Sequence, residues 1–473
     1  MDQSLVNQSF MNKSPEFDAE LLRRYDKAGP RYTSYPTAVQ FSEGYKETDY
    51  RAHAAMSNGS DRALSLYFHL PFCSTICYYC ACNKIVTRDR SRAVSYLQRL
   101  HKEIALQAEL FDRTKPVNQL HWGGGTPTFI SHQQMIELMA VTRRHFSLLD
   151  DDSGEYSIEI DPREIDRQGV KVLRDIGFNR LSLGVQDFDP AVQKAVNRLQ
   201  SEALTVSVVD AARDEGFKSV SVDLIYGLPL QTPESFARTL ERIVALSPDR
   251  ISLFNYAHMP DMFKTQRGIR EGDLPSPETK LDILRLSIET LTESGYVFIG
   301  MDHFAKPDDE LAKAQRAGKL YRNFQGYATH ADCDLVGLGI TAIGTVGNSF
   351  VQNVKTLSDY YARIDAGLLP VWRGIEFNND DRVRRYVIMQ LICHFELDIA
   401  RCEQDCGVGF DTYFADELLA LKSMADDGLV TLNDGRLIVT PKGRLLIRNI
   451  CMVFDRYLRS DTGSGQPRFS KAI

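Results

Sequence analysis

From about residue 63 onward, short apolar and β-branched runs alternate with longer stretches of helical periodicity. Seven runs predict strands, and they read ALSLYFHL, NQLHWGG, EYSIEIDP, RLSLGVQ, SVSVDLIYGL, RISLFNYA and YVFIGMDHF. Six stretches predict helices, at about 92–111, 131–146, 165–176, 201–215, 233–246 and 277–294. Because strand–helix alternation is typical of βαβ units, the pattern predicts a parallel α/β sheet, closed partly or wholly into a barrel or left open as a doubly wound layer.

Polar residues and glycines stand where the predicted strands end. The carboxyl ends of parallel strands meet at one edge of the sheet, which is where α/β folds carry their sites. We therefore expect the functional site at this edge. The residues concerned are His69, Gly123, Gly124, Gly125, Glu159, Gln186, Asp223, Tyr256 and His303.

The pattern differs at the two ends of the chain. Residues 1–46 are polar and include the Tyr- and Pro-rich stretch RYTSYPTAVQF, which predicts an ordered, irregular N-terminal arm. Residues 47–360 form the predicted barrel domain. Amphipathic helices and a hairpin predict a helical, winged-helix-like domain over 361–460, and the Gly- and Ser-rich residues 461–473 predict a flexible tail.

Composition and charge narrow the class of protein. The chain has 473 residues, 43% of them hydrophobic, and a net charge of −7 without a long basic block, which disfavours nucleic-acid binding. No run of about 18 apolar residues predicts a membrane helix, and the first residues do not resemble a secretory signal. We therefore expect a cytoplasmic protein, whose thiols stay reduced.

Four of the nine cysteines are crowded into ten positions after the first predicted strand. Cys73, Cys77 and Cys80 have the spacing C-x3-C-x2-C, and soft thiolates on one loop suit three irons of a [4Fe–4S] cluster. A zinc site that adds Cys82 is the alternative. Zinc sites more often pair two separated knuckles, and no second knuckle follows nearby, so the spacing favours the cluster.

The loops after the next strands carry further candidates. The glycine run of HWGGGTPT allows a ligand to approach the backbone closely, although a Gly-rich turn is often only a turn. Glu159 could bind a ribose hydroxyl or an ammonium group, or it could cap the next helix. Gln186, Arg198 and Asp223 each have a similar solvated or capping alternative, but together they indicate a polar pocket.

These motifs resemble the radical S-adenosylmethionine superfamily and, within it, the family of oxygen-independent coproporphyrinogen III oxidases. The resemblance extends from about residue 20 to about residue 460. It implies a partial (βα)6 barrel with an N-terminal arm and a C-terminal helical domain over the active site. The stretches that carry it are PRYTSYPTA, HLPFCSTICYYCACNKI, LHWGGGTPT, IEIDPRE, LSLGVQDF, VDLIYGLP, FNYAHMP, GMDHFA, RNFQGY and KGRLLIRNICMVFD.

The resemblance also implies a reaction, the oxidative decarboxylation of two propionates of coproporphyrinogen III to vinyl groups. The product is protoporphyrinogen IX, in haem biosynthesis. Two S-adenosylmethionine molecules are consumed to two methionines and two 5′-deoxyadenosines, and two CO2 are released. The radical chemistry comes from the cofactor, with the protein supplying position and exclusion of water. Cys73, Cys77 and Cys80 would carry the cluster, and the expected catalytic residues are Tyr67, Cys82 and Glu159.

The family holds two S-adenosylmethionine molecules side by side, and its motifs assign contacts for each. Many members have phenylalanine where this chain has Tyr79, so an aromatic ring remains there. The first molecule would meet Tyr67, Gly124, Glu159 and Ile343. The second would meet Tyr79, Gly125, Thr126, Gln186, Arg198, Asp223 and Ala257.

Partners are expected from the same resemblance. An acidic protein that binds four propionates needs a local cationic patch, for which Arg31 and Arg322 are candidates. His258 and His303 could exchange protons or be structural. A flavodoxin- or ferredoxin-type reductant, an unidentified electron acceptor and a monomeric state are expected. A haem-binding chaperone on the same scaffold and DNA binding by the C-terminal domain are the alternatives, and the Cys82 thiol and the arm favour the oxidase.

Overall fold

The structure is a computed structural model, and it describes residues 14–330 and 333–460 together with Phe469. Most of the predicted tail at 461–473 and the first part of the predicted arm lie outside the described residues. The helices are α1 (Ala19–Arg24), α2 (Glu47–Asn58), α3 (Ser91–Ala108), α4 (His132–His145), α5 (Arg167–Asp175), α6 (Pro190–Ala195), α7 (Glu202–Asp214), α8 (Pro233–Leu246), α9 (Pro277–Glu293), α10 (Glu310–Arg316), α11 (Leu357–Asp365), α12 (Asn379–His394), α13 (Ile399–Cys406), α14 (Phe410–Tyr413), α15 (Ala415–Asp426), α16 (Ile447–Val453) and α17 (Arg456–Ser460).

The strands share one large sheet and three small ones. In chain order they are β1 (Leu64–Leu70), β2 (Phe72–Cys73), β3 (Ile85–Val86), β4 (Pro116–Gly124), β5 (Ser147–Leu148), β6 (Glu155–Ile160), β7 (Arg180–Gln186), β8 (Ser219–Tyr226), β9 (Arg250–Asn255), β10 (Val297–Gly300), β11 (His303–Ala305), β12 (Tyr321–Asn323), β13 (Gly326–Ala328), β14 (Asp334–Leu338), β15 (Ile343–Val346), β16 (Ser349–Asn353), β17 (Val371–Glu376), β18 (Glu396–Asp398), β19 (Val430–Asn433) and β20 (Arg436–Val439).

Six parallel strands form the centre of the large sheet, in the order β1, β4, β6, β7, β8, β9. A helix follows each of them: α3, α4, α5, α7, α8 and α9. The sheet continues through antiparallel β11 and β10 on one side and through β14 to β17 on the other. This arrangement confirms the predicted partial (βα)6 barrel.

The helices begin where the sequence places capping residues. Ser131, Asp166, Thr232 and Ser276 each accept a hydrogen bond from a backbone N–H in the first turn of α4, α5, α8 and α9. Such caps satisfy amide groups that have no partner within the helix. They fix the helix starts close to the positions that the periodicity predicts.

Side chains alternate between two environments along β6, β7 and β8. Ser157, Glu159, Ser182, Ser221 and Asp223 face the lumen of the barrel. The residues between them are buried against the surrounding helices, as for Ile158, Leu181, Leu183, Val220 and Val222. Because the lumen side carries small and polar side chains, the centre of this barrel is a polar cavity rather than a packed apolar core.

The prediction of one continuous strand over YVFIGMDHF is wrong. This stretch forms the antiparallel pair β10 and β11, which turns at Gly300 and Met301 with φ of +146° and +52°. His303 consequently lies opposite Ser252, at the level of the lumen, instead of at the end of a parallel strand. A glycine inside an apolar run does not by itself predict a turn, because the tertiary contacts decide whether the chain turns there.

The C-terminal residues form helices α12 to α17 around the three-stranded sheet of β18, β20 and β19. Strand β17 still belongs to the large sheet, so the sheet extends beyond residue 360 to Glu376. Helices followed by a hairpin and another helix agree with the predicted helical, winged-helix-like architecture. No helix within the described residues is long and apolar enough to cross a membrane.

The N-terminal arm is fixed between the barrel and the C-terminal helices. The Tyr32 hydroxyl donates to buried Asp455 at 3.0 Å, and Arg448 donates to the carbonyl oxygen of Pro30 at 3.2 Å. Asn449 donates to the carbonyl oxygen of Tyr25 at 2.7 Å. These contacts hold the arm against the C-terminal helices, and Arg31 pairs with Asp302, which lies between β10 and β11 of the large sheet.

Candidate functional site

The cysteine loop and the glycine loop are joined by backbone hydrogen bonds. The Gly125 amide donates to Leu70 at 2.9 Å, and the Thr126 amide donates to Phe72 at 2.7 Å. The Thr126 hydroxyl also lies 3.6 Å from the sulfur of Cys73. The loop after β4 therefore forms one wall of the pocket into which the cysteines point.

Cys73, Cys77, Cys80 and Cys82 line a single cavity of about 300 Å3. Lys84 donates to the carbonyl oxygen of Cys80 at 3.0 Å and caps the end of the loop. A hydrogen bond from Cys82 lowers the pKa of Cys80 to about 6, and the same bond raises the pKa of Cys82. Cys80 is thus disposed to be a thiolate, and Cys82 acts as its hydrogen-bond donor.

The donor set fits an iron–sulfur cluster. Within the described residues, no three Cys, His, Asp or Glu side chains are grouped to hold a single metal ion. The sulfur atoms that bind a cubic cluster need not meet at one point, because each thiolate binds a different iron atom. The guanidinium groups of Arg198 and Arg163 lie 3.5 Å and 3.7 Å from the sulfur of Cys77 and can stabilise a negatively charged cluster. The arrangement therefore suits the cluster better than the zinc alternative.

Glu159 lies beside the glycine loop at the end of β6. Its Oε2 accepts a hydrogen bond from the Gly124 amide at 3.1 Å, and its Oε1 lies 3.3 Å from Nε2 of His121. Burial alone would raise the pKa of Glu159, but the bonds from His121 and Gly124 hold it below its ordinary value. A carboxylate that stays charged inside a cavity is suited to bind an ammonium or hydroxyl group.

A second cavity, of about 290 Å3, shares Cys82, Gly124 and Glu159 with the first. Tyr67 and Ile343 face it, which brings all the residues predicted for the first S-adenosylmethionine to one place. The Tyr67 ring stacks on His121 with centroids 5.9 Å apart, and its hydroxyl lies 3.1 Å from Nδ1 of His69. These contacts fix the orientation of the tyrosine ring.

The other end of the cysteine cavity is polar and incompletely satisfied. Arg198 pairs with Asp161 at 2.9 Å and donates to the carbonyl oxygen of Gly184 at 2.6 Å, but its Nε has no partner among the described residues. The Oε1 of Gln186 is likewise buried and unpaired there, and Gln186 adopts a φ of +69°. Unsatisfied polar atoms and backbone strain are typical of a site built for a ligand.

Most residues predicted for the second S-adenosylmethionine line this cavity, and Ala257 does not. The lining includes Tyr79, Gly125, Thr126, Gln186, Arg198 and Asp223. The carbonyl oxygens of Ala257 and Tyr79 instead accept from the same amide group, Nε2 of Gln266, at 3.1 Å and 3.2 Å. Gln266 therefore connects Ala257 to the cysteine loop.

Asp223 gives a pH-dependent prediction. Burial and the nearby charge of Glu159 raise its pKa to about 7. Between pH ~4 and ~7 the folded protein holds a proton that the unfolded chain has lost, so the Asp223 contribution to stability falls as pH rises through that window. We expect the free energy of unfolding of Asp223→Asn to match that of the wild type at pH 4 and to exceed it by on the order of 4 kcal/mol at pH 8. Urea unfolding at both pH values measures the gap, and a gap that does not change with pH would contradict the prediction.

Gly125 gives a second prediction at the junction of the two loops. A Cβ atom on Gly125 would lie 2.7 Å from the backbone of Pro71 and Phe72, which cannot move without displacing the cysteine loop. We expect Gly125→Ala to lower the iron content of the reconstituted protein severalfold. Gly272→Ala is the matched control, because nothing lies within 4 Å of its added Cβ and its backbone has no positive φ. Equal iron content in the two variants would refute the role of this close approach.

Several residues of the site were not assigned from the sequence. His121, Asp161 and Arg163 contact the predicted residues Glu159, Arg198 and Cys77, respectively. His121 stands two positions before the glycine run, and the other two belong to the stretch IEIDPRE. That stretch was a signal for them, but only the fold shows that their side chains reach Glu159, Arg198 and Cys77.

Comparison with known proteins gives consistent relatives over the whole chain. A model of the Radical SAM superfamily matches residues 67–243, and a model of the HemN C-terminal domain matches residues 377–446. Oxygen-independent coproporphyrinogen III oxidase from Pseudomonas aeruginosa is 54% identical over 457 residues, which cover 97% of this chain and 99% of the relative. The protein of that name from Escherichia coli is 52% identical over 458 residues, with the same coverage of both chains.

A solved structure agrees with these relatives. The structure of coproporphyrinogen III oxidase (HemN) from Escherichia coli, described as a radical SAM enzyme, superposes with a TM-score of 0.90 at 51% identity. The match covers 94% of this chain and 100% of that chain. Identity at this level over nearly full length, with a cysteine loop in the same barrel type, is sufficient to assign the family. The chain therefore belongs to the oxygen-independent coproporphyrinogen III oxidases of the radical SAM superfamily.

Proposed function

We propose that the protein converts coproporphyrinogen III to protoporphyrinogen IX by oxidative decarboxylation of two propionates, in haem biosynthesis. Each conversion consumes two S-adenosylmethionine molecules to two methionines and two 5′-deoxyadenosines and releases two CO2. The names of its relatives support the substrate. The observation that carries the proposal is the single cavity in which three cysteines, the glycine loop and Glu159 meet.

Residues of this chain have assigned parts in the proposed site. Cys73, Cys77 and Cys80 would hold the cluster, and S-adenosylmethionine would bind beside it. When bound, the cluster and S-adenosylmethionine supply the electron and the hydrogen-abstracting radical. Glu159 holds and orients S-adenosylmethionine together with the Gly124 backbone, and Tyr67 and Ile343 exclude water from the second cavity. Cys82 is a functional thiol next to the cluster.

A second S-adenosylmethionine would occupy the polar end of the cysteine cavity. The unpaired Gln186 and Arg198 atoms offer hydrogen bonds to it. Asp223 lines the cavity near Glu159, and no ion pair joins it to a basic residue among the described residues. A cationic sulfonium or ammonium group would relieve the repulsion between the two carboxylates, which supports a second cationic ligand beside the first.

The propionates of the substrate require cations near the open side of the barrel. Arg31 in the arm pairs with Asp302 and lies over Phe254, a residue that lines both the lumen and the cysteine cavity. Arg322 is buried, lies over the Tyr327 ring and donates to the Arg31 carbonyl oxygen at 3.4 Å. Both arginines help to hold the pKa of the Asp302 carboxyl below its ordinary value, so two positive charges act on one carboxylate and positive charge remains for the substrate.

Arg31 provides a test of propionate binding. We expect Arg31→Gln to raise the KM for coproporphyrinogen III at least about tenfold, the size of one lost charge-assisted hydrogen bond, without changing iron content. The arm residue Lys27 is exposed, so Lys27→Gln is the control for loss of one positive charge. Steady-state kinetics at saturating S-adenosylmethionine measures the effect. Equal KM values for the two variants would exclude Arg31 from the substrate site.

The reaction also needs partners. A flavodoxin- or ferredoxin-type protein would deliver electrons to the cluster, and an unidentified acceptor would remove one electron after each decarboxylation. We propose that the enzyme acts as a monomer in the cytoplasm, where reduced thiols persist.

An anaerobic turnover assay tests the proposal. Reconstituted protein, reductant, S-adenosylmethionine and coproporphyrinogen III are mixed with cell extract as the source of acceptor, and vinyl product and 5′-deoxyadenosine are quantified together. We expect about two 5′-deoxyadenosines for each product molecule with two new vinyl groups, because each decarboxylation needs one radical. Deoxyadenosine without vinyl product would leave the superfamily assignment intact and reject the substrate. Tight haem binding with neither product would favour a chaperone.

A further inference from the structure

A cleft of about 380 Å3 lies at the end of the barrel opposite the cysteines. Its walls come from Arg62 before β1, from the turn between β15 and β16, and from helix α12. Strand β1 has seven residues and runs from this end to the cysteine loop, so about 20 Å separates the two places. The cleft is therefore independent of the site described above.

Basic side chains dominate the cleft. Arg62, Lys319, Arg382 and Arg385 line it, and none of the described lining residues is a carboxylate. Arg62 pairs at 3.4 Å with Asp334, which is fully buried in β14. Within residues 14–330 and 333–460, no carboxylate forms an ion pair with the other three. In a protein with a net charge of −7, such an uncompensated cluster favours an anionic ligand.

Aromatic rings lie beside these charges. The Arg385 guanidinium lies 5.0 Å from the centre of the Phe377 ring and donates to the Tyr321 hydroxyl. Tyr386 and Met389 line the same wall. Arginine held on an aromatic surface is well suited to bind phosphate, and the ring faces offer stacking area to a planar group.

His394 adds a buried ring nitrogen that has no hydrogen-bond partner among the described residues. This atom is Nδ1, and the residue is 7% exposed and lines the cleft. The other ring nitrogen forms a hydrogen bond with the Leu320 backbone. Burial lowers the pKa of His394 to about 4, so the imidazole is neutral. The Nδ1 atom is therefore an acceptor that awaits a donor from a ligand.

We propose that this cleft binds a nucleotide, a phosphorylated heteroaromatic ligand whose phosphates meet Lys319 and Arg382. Its base would stack beside Tyr321 and Phe377 and donate a hydrogen bond to His394. A cavity of this size is within the range of small-molecule sites. Arg385 also donates to the Tyr35 carbonyl oxygen at 3.3 Å, so the cleft lies next to the N-terminal arm.

Calorimetric titration of the full chain with ATP and with inorganic tripolyphosphate tests the proposal. S-adenosylhomocysteine is present at saturation, so that the S-adenosylmethionine sites cannot take the nucleotide. We expect the double variant Lys319→Gln, Arg382→Gln to weaken both ligands at least about tenfold, as the loss of a charge-assisted hydrogen bond requires. His394→Phe should weaken ATP alone. Lys313→Gln on α10, an exposed lysine outside the cleft, is the control and should change neither.

The outcomes are separable from those of the proposed reaction, because none of these residues lies in the functional site. Unchanged ATP affinity in the double variant, or no ATP binding to the wild type, would overturn the proposal. Equal affinity for ATP and tripolyphosphate in the wild type would also overturn it, since no base would then be recognised. Unaltered tripolyphosphate binding to His394→Phe shows that the variant is folded. A loss of affinity for ATP alone then supports His394 as the contact of the base.

Discussion

Replacement of Cys80 by serine is expected to abolish both the cluster and turnover, whereas replacement of Cys82 by serine leaves the cluster in place. The pKa of Cys80 is lowered to about 6, so its sulfur is available as the soft anionic ligand that iron requires. A serine hydroxyl stays protonated and is a poor ligand for a cluster. Serine at position 82 can still donate a hydrogen bond to the Cys80 sulfur, and it removes only the neighbouring thiol.

Iron and sulfide content, brown absorbance and product formation distinguish the two variants after anaerobic reconstitution. Cys80→Ser should contain almost no cluster and form no vinyl product. Cys82→Ser should contain the wild-type amount of iron and sulfide and form less product. Loss of the cluster in both variants would indicate that Cys82 is also a metal ligand. It would then favour a site of four thiolates, as in the zinc alternative. Equal product formation in Cys82→Ser and the wild type would remove Cys82 from the proposed chemistry.

Glu159→Gln is expected to weaken S-adenosylmethionine binding about ten- to a hundredfold, the size of one lost charge-assisted hydrogen bond. The carboxylate is kept charged by His121 and by the Gly124 amide, and it borders both cavities of the site. Glutamine preserves the shape of the side chain, so the loss of affinity reports the loss of charge. Turnover should fall by at least the same factor at low S-adenosylmethionine concentration.

Equilibrium dialysis with the cluster-loaded protein measures this affinity directly. Glu137→Gln removes the same charge from the exposed outer side of α4, where Nδ1 of His101 lies 4.0 Å from the carboxylate, and it should bind as the wild type does. Iron content must be unchanged in both variants for the comparison to hold. If Glu159→Gln binds S-adenosylmethionine as tightly as the wild type does, the carboxylate bonds to His121 but does not bind the ligand.

Local sequence patterns determined the main elements of this protein. The six parallel strands and their helices follow from apolar runs, helical periodicity and the capping residues Ser131 and Thr232, all of which act over a few residues. The cysteine spacing and the glycine run identify the loops at the carboxyl ends of β1 and β4. The edge of the sheet that carries the site could be predicted for the same reason, because parallel strands align these ends.

Only the tertiary structure decided how distant residues combine. The strand predicted around Gly300 became a hairpin, since β11 pairs with β9 and brings His303 to the lumen. Arg31 meets Asp302 across 271 residues of chain, and the Tyr32 hydroxyl meets Asp455 across 423 residues. Contacts of this kind depend on packing between elements, for which a periodic pattern carries no information. The sequence by itself thus determined the barrel and its cysteine loop. The cavities and the raised pKa of Asp223 arose from long-range packing, burial and neighbouring charges.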